Sequence, residues 1–175
     1  MGQKLKNEEL GRMSEDQFRS SEKTPVVVVL DNVRSLHNVG SVFRTCDAFL
    51  IEEILLCGIT GTPPGKEIEK TALGATKTVK WSHHTSTQDA VDHLKKRGFK
   101  VYSIEQVEGS IKLNDVGYDG EPIALVFGNE VYGVDQKVID ISDGVLEIPQ
   151  LGSKHSLNIS VSVGIVLWEL LRRKM

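Results

Sequence analysis

P-V-V-V-V-L-D-N-V-R-S-L-H-N-V-G-S-V-F-R-T-C-D-A-F, residues 25–49, holds the pattern that decides the fold. Val26 to Leu30 is an unbroken apolar and mostly β-branched run, as expected for a strand covered on both faces. Beyond it, Asn38, Gly40 and Arg44 fall at the entrance of a helix predicted over Asn38 to Phe49. A helix start presents unpaired N–H groups and a partial positive charge to anything lying over the strand end. Arg44 follows nearly two turns on, and its planar fork suits phosphate oxygens or a ribose hydroxyl. The same residues also have an ordinary reading, with Asn38 a helix cap, Gly40 a packing position and Arg44 a surface ion-pair partner.

Working outward, Ile54 to Cys57, Lys100 to Ile104 and Ile123 to Phe127 repeat the buried-strand pattern. Helical segments lie between and after them: Glu67 to Gly74, Ser86 to Arg97 closed by Gly98, Asp135 to Ile141, and Asn158 to Lys174. Strand alternating with helix predicts an α/β fold, a mostly parallel sheet flanked by helices. The last helix is apolar on nearly every face, so it must be buried, by its own sheet alone or together with a second subunit. Residues 1–24 carry five Lys/Arg and five Asp/Glu with few large apolar groups. They read as a charged N-terminal extension, with the folded domain spanning residues 25–175.

Bulk properties narrow the class. A chain of 175 residues can bury roughly 70% of the surface its unfolded form exposes. A formal charge of −3 counts against a protein that coats polyanions generally, while leaving room for a local basic groove. Cys46 and Cys57 sit in apolar surroundings without metal-ligand spacing, and read as reduced core thiols of a cytoplasmic protein. The longest apolar run is too short to cross a membrane, so no membrane partner is expected. His83, His84 and His93 are irregularly spaced and lack nearby thiolate or acidic ligands on one face, so no metal is expected.

Two further segments resemble the first in kind. F-G-N-E-V-Y-G-V, Phe127 to Val134, places Gly128, Glu130 and Gly133 directly after a strand, where ligands of open α/β sheets bind. Glycine there lets a ligand approach the backbone, and a loop carboxylate can hold an arginine or a hydroxyl. I-P-Q-L-G-S-K-H-S-L-N-I-S-V-S-V, Ile148 to Val163, aims Ser156 and Asn158 at the entrance of the last helix. Plain alternatives are a Gly-rich turn with a solvated Glu130, and N-capping by Ser156 or Asn158. All three segments follow strands, so they can converge at one sheet edge.

Together these segments resemble the SpoU family, also called TrmH, of RNA ribose 2′-O-methyltransferases in the SPOUT superfamily. The likeness covers Pro25 to Arg173, with the three motifs at Asn38 to Arg44, Phe127 to Gly133 and Ile148 to Val163. It implies a C-terminal deep trefoil knot, against the general rule that chains are unknotted, a homodimer, and S-adenosylmethionine as cofactor. It assigns the cofactor to Gly128, Ile148 and Leu157, with the strand end at Ile104 closing the pocket. Arg44 matches the family's catalytic arginine, Asn38 and Glu130 the residues that position it and the substrate, and Ser156 and Asn158 the motif completing the site.

The implied chemistry is attack of a ribose 2′-hydroxyl on the cofactor's methyl group. An arginine, with a pKa above about 12, rarely gives up its proton. The expectation is therefore that Arg44 stays cationic and stabilises developing alkoxide charge while a phosphate or water takes the proton. The RNA partner is expected to be folded rather than single-stranded, because ten aromatic residues form no stacking row; the resemblance implies tRNA or rRNA, with tRNA favoured because short members of the family typically act on tRNA. Candidate contacts are Lys66, Lys70, Lys77, Lys80, the Lys95–Arg97 cluster, Lys154 with His155, and the extension's Lys4, Lys6, Arg12 and Arg19. His37 is a further candidate for a phosphate contact. Two other classes stay in view. One is a non-catalytic RNA-binding or assembly protein that keeps the fold. The other, a nucleotide-binding oxidoreductase, would need G-x-G-x-x-G after the first strand and an acidic residue after the second, and lacks both.

Overall fold

The valine run of residues 26–30 lies inside an all-parallel sheet, and its alternation divides the core in two. The computed structural model describes residues 2–175; Met1, at the head of the expected extension, lies outside them. The strands are β1 (Thr24–Asp31), β2 (Ile51–Cys57), β3 (Trp81–His84), β4 (Lys100–Ile104), β5 (Ile111–Lys112), β6 (Ile123–Phe127) and β7 (Gly144–Glu147). They form one sheet in the order β3-β2-β1-β6-β4-β7-β5, every adjacent pair parallel. The helices are α1 (Glu15–Ser20), α2 (Leu36–Ala48), α3 (Lys66–Ala72), α4 (Thr87–Lys96), α5 (Gln136–Ile141) and α6 (Ile159–Leu171).

Successive strand side chains point to opposite faces, and the buried residues sort accordingly. Val26, Val28 and Leu30 join Ile54, Leu56 and Leu125 in a core with Phe43 of α2 and Val163, Val166 and Leu167 of α6. Val27 and Val29 join Leu55, Cys57, Ala124 and Val126 in a second core with Val91 and Leu94 of α4 and Val138 of α5. Each of the Val, Leu, Ile and Phe side chains contributes about 1.5–3 kcal/mol by leaving water. Cys46 and Cys57 are free and buried. Burial, with Asp31 adding to it against a hydrogen bond from Thr87, pushes the Cys57 thiol up to about 12. In the N-terminal segment, α1 is capped by Ser14, and its Phe18 enters the first core.

The structure corrects several local expectations. The helix of the first motif starts at Leu36, and its cap is Ser35, whose hydroxyl accepts the Asn38 N–H at 3.3 Å. Asn38 is therefore inside the helix, with its amide free for other work. Gly40 is a packing residue: a Cβ there would stand 2.1 Å from Thr71 Oγ1 and 2.2 Å from the Ile68 carbonyl. Strands β3 and β5 had not been expected, and β7 had been expected only as a strand without bounds ahead of the third segment. β3 reads Trp-Ser-His-His at a sheet edge, β5 has only two exposed residues, and β7 opens on a glycine, so none carries a continuous apolar run.

Candidate active site

The carboxyl ends of β4, β6 and β7 frame a cavity of about 300 Å³. Its walls include Ile104, Gly128, Glu130, Ile148, Ser156, Leu157 and Asn158. The second and third sequence segments thus meet beside the end of β4. Gly128 is there for room: a Cβ would lie 2.0 Å from the Gly133 carbonyl carbon and 2.1 Å from the Val134 nitrogen. Gly133 has φ +69°, and a Cβ would stand 2.1 Å from a Glu105 carboxylate oxygen, so both conformation and space call for glycine.

The first segment reaches the cavity through hydrogen bonds. The Glu130 carboxylate accepts the N–H groups of Arg34 and Ser35, each at 3.0 Å, and the Asn38 amide at 3.4 Å. Asn38 Oδ1 in turn accepts the Asn158 amide at 3.1 Å. Asn158 also caps α6, accepting from the Ser160 N–H at 2.9 Å and its hydroxyl at 2.7 Å. Its cap role and its link to the first motif are simultaneous, because a carboxamide has both an acceptor and donors. Partial burial pushes the Glu130 carboxyl upward, but the N–H groups of Arg34 and Ser35, aided by Asn38, outweigh it and leave it below the ordinary carboxylate range.

Arg44 stands apart. It is exposed on α2, takes no ion pair or side-chain hydrogen bond among the described residues, and does not line the cavity of its own chain. Six residues of helix separate it from Asn38, a rotation of about 240° at 100° per residue, so the two face different directions. Ser156 is exposed and lines the cavity. Sequence reading passed over Asn129 and Glu105. Asn129 Oδ1 accepts the N–H groups of Val131 at 2.9 Å and Tyr132 at 3.2 Å, while its amide donates to the Asn32 carbonyl at 2.7 Å. Glu105 holds the Gln106 N–H at 2.8 Å and the Val134 N–H at 3.0 Å. The signal available for both was a polar residue within two positions of a strand end.

Among the basic candidates, several are engaged within the chain. Arg97 pairs with Glu52 at 2.6 Å and Glu53 at 3.0 Å, Lys80 with Glu53 at 3.3 Å, and Lys95 with Asp143 at 3.0 Å. His37 meets Glu67 at 2.9 Å, and Lys70 the same carboxylate at 3.5 Å. Lys66 and Lys154 have no such partner among the described residues, and Arg34, unremarked in the sequence, is exposed beside Glu130.

Comparison with known proteins bears on this site. The model of the SpoU rRNA Methylase family matches residues 25–168. The tRNA (guanosine(18)-2'-O)-methyltransferase of Thermus thermophilus is 35% identical over 150 residues, which cover 86% of this chain and 76% of that protein. The A. aeolicus TrmH/SpoU tRNA modifying enzyme superposes with a TM-score of 0.81 at 29% identity, over 91% of this chain and 82% of that one. An AdoMet-bound rRNA methyltransferase from Sinorhizobium meliloti gives 0.80 at 28% identity, over 94% of this chain and 62% of that one.

Proposed function

The chain belongs to the SpoU rRNA methylase family, and from that premise we propose that it transfers a methyl group from S-adenosylmethionine to a ribose 2′-hydroxyl of structured RNA. The observation that carries the reading is the cavity at the ends of β4, β6 and β7, walled by the second and third motifs and hydrogen-bonded to the first. The tRNA specificity of the Thermus relative, with 35% identity over most of this chain, favours tRNA as the substrate. Cytoplasmic residence goes with such a substrate. Among the described residues no helix is long and apolar enough to cross a membrane.

The residues present fit the cofactor. Ile104, Ile148 and Leu157 would offer apolar walls to an adenosine, Gly128 would bring backbone within reach, and the Glu105 and Glu130 carboxylates in the lining would favour a positively charged group. When bound, S-adenosylmethionine supplies an electrophilic methyl on a sulfonium. Glu130 and Asn38, tied to each other and to Asn158, hold the motif-one turn in place for the ribose. Arg44 stays protonated and stabilises the charge developing on the 2′-oxygen, while an RNA phosphate or water accepts the proton. Alignment by these groups supplies much of the remaining acceleration. Ser156, lining the cavity, is proposed to complete the acceptor side.

A homodimer is part of this reading. Val161, Ile165 and Trp168, spaced i, i+4, i+7 on α6, are 49%, 37% and 55% exposed, an apolar stripe that a second copy would cover. Arg44, outside its own cavity's lining, is then proposed to serve the cavity of the partner. A deep trefoil knot is proposed on the family likeness, and the sheet order supports it: β7, late in the chain, lies between the earlier β4 and β5.

The test is to incubate the protein with tritiated S-adenosylmethionine and bulk tRNA, then rRNA, and to look for label in alkali-resistant dinucleotides. Label in tRNA dinucleotides is expected. Label in base-methylated nucleosides would move the reaction to another chemistry, and no label with either RNA would favour a binding-only protein.

A further inference from the structure

The cavity's outer wall is the segment from Ile148 to Asn158. Its ends are anchored, since Ile148 packs against the first core and Asn158 caps α6 and bonds Asn38. Between them, residues 151–158 are all exposed, and Leu151 is wholly so. Among the described residues, residues 149–157 make a single hydrogen bond: the His155 carbonyl accepts the Gln106 side-chain amide at 3.1 Å. A span so exposed and so sparsely bonded belongs to the low-stability end of a fold.

The donor of that bond has a rigid base. Glu105, one residue earlier, takes the Gln106 N–H at 2.8 Å with one carboxylate oxygen and the Val134 N–H at 3.0 Å with the other. Its own N–H is held by the Leu146 carbonyl at 3.1 Å. The strand-end pair Glu105–Gln106 therefore ties two parts of the cavity wall, the 128–134 turn and the 149–157 loop, to one point.

We infer that Gln106 is a positioning residue for the donor pocket: its amide latches the 149–157 loop to the end of β4 and presets the separation of Ile148 and Leu157. The inference rests on the reading of this cavity as an S-adenosylmethionine site. Without the latch the loop spreads over other conformations, and apparent cofactor affinity falls by the fraction of molecules still closed. One neutral hydrogen bond shifts such an equilibrium by roughly two- to tenfold.

The test compares wild type with Gln106→Met, which keeps length and loses the donor, Gln106→Glu, which sets a carboxylate against the carbonyl, and Gln106→Arg, which restores N–H donors. Cleavage after Lys154, inside the loop, by a lysine-specific endoprotease is timed without ligand and with S-adenosylhomocysteine. KM for S-adenosylmethionine and for RNA is measured alongside kcat. Expected are roughly two- to tenfold faster cleavage in the Met and Glu variants without ligand, recovery toward wild type in the Arg variant, and a rise of similar size in KM for S-adenosylmethionine, with smaller changes in kcat and in KM for RNA. Equal cleavage of wild type and Gln106→Met without ligand overturns the latch, as does an effect confined to RNA. If wild type fails to bind S-adenosylhomocysteine at all, the methyltransferase reading falls, while the ligand-free cleavage still decides whether Gln106 holds the loop.

Discussion

Two crevices open along the same edge of the sheet. The register that sets Leu30 opposite Phe127 places Asp31 beside Gly128, so one residue position separates them in kind. At the ends of β1, β2 and β3, the Asp31 carboxylate is 2% exposed and accepts the Thr87 hydroxyl at 2.6 Å, the Asn32 amide at 2.9 Å and the Asp135 N–H at 3.1 Å. It braces the starts of α4 and α5 against β1. At the ends of β4, β6 and β7, a glycine stands where the carboxylate would be, the walls are partly apolar, and one loop hangs by one bond. Where polar groups satisfy one another a crevice is a strut. Where backbone is bared and side chains are left over, it is open to a ligand.

The largest effect that could break this contrast concerns Arg44. Replacing it with Ala should cut methyl transfer by about 10²–10³ with folding intact, as for a lost charge-stabilising donor. Arg44→Lys should keep most of that loss because the fork is gone. Near-full turnover of the Lys variant, measured at saturating RNA, would remove the guanidinium from the chemistry. Next comes the strut: Asp31→Ala leaves the Thr87 hydroxyl and Asp135 N–H without their buried partner. It should cost about 3 kcal/mol of stability in urea unfolding, while activity per folded molecule is kept. A large loss of cofactor affinity instead would mean that the two crevices are one site.

Gly133→Ala should behave in the opposite manner. Its left-handed φ of +69° costs an Ala about 1–2 kcal/mol, and the displaced Glu105 carboxylate should weaken S-adenosylhomocysteine binding by calorimetry more than it lowers the melting temperature. The smallest effect is in pH. Glu130 is held below the ordinary carboxylate range, partial burial notwithstanding, by the Arg34 and Ser35 N–H groups. A depressed folded pKa means its contribution is whole above the unfolded value of about 4.3 and fades as pH falls through the lower folded one. The stability gap between wild type and Glu130→Gln should therefore be widest near neutrality and close in strong acid. A gap that instead widened on acidification would reverse the sign of the coupling.

Legibility followed burial and locality. The strands with continuous apolar runs at residues 26–30, 54–57 and 123–127 stood out because each is covered on both faces and has nothing polar to interrupt it; the strand at 100–104 was legible although Lys100 and Ser103 interrupt it. β3, β5 and β7 did not stand out, since a length of two to four residues leaves no periodic signal, and β3 and β5 are edge strands as well. Ser35 and Asn38 are both good caps three residues apart, and composition alone could not choose between them. Asp31 looked like the end of a strand, and its bond to Thr87 joins residues 56 apart in the chain. Gln106 gave no signal either, because its partner is a main-chain carbonyl, which every residue has.

By itself the amino-acid order determined the alternation of strand and helix, the two-sided burial of the inner strands, and the presence of three polar segments after strand ends, because each follows from neighbours within a turn or two of chain. Only the tertiary structure decided that Glu130 would bind backbone 96 residues away at Arg34, that Asn158 would meet Asn38, and that Arg44 would stand outside its own cavity. Those outcomes depend on sheet register and helix rotation, which are set by how the whole chain packs.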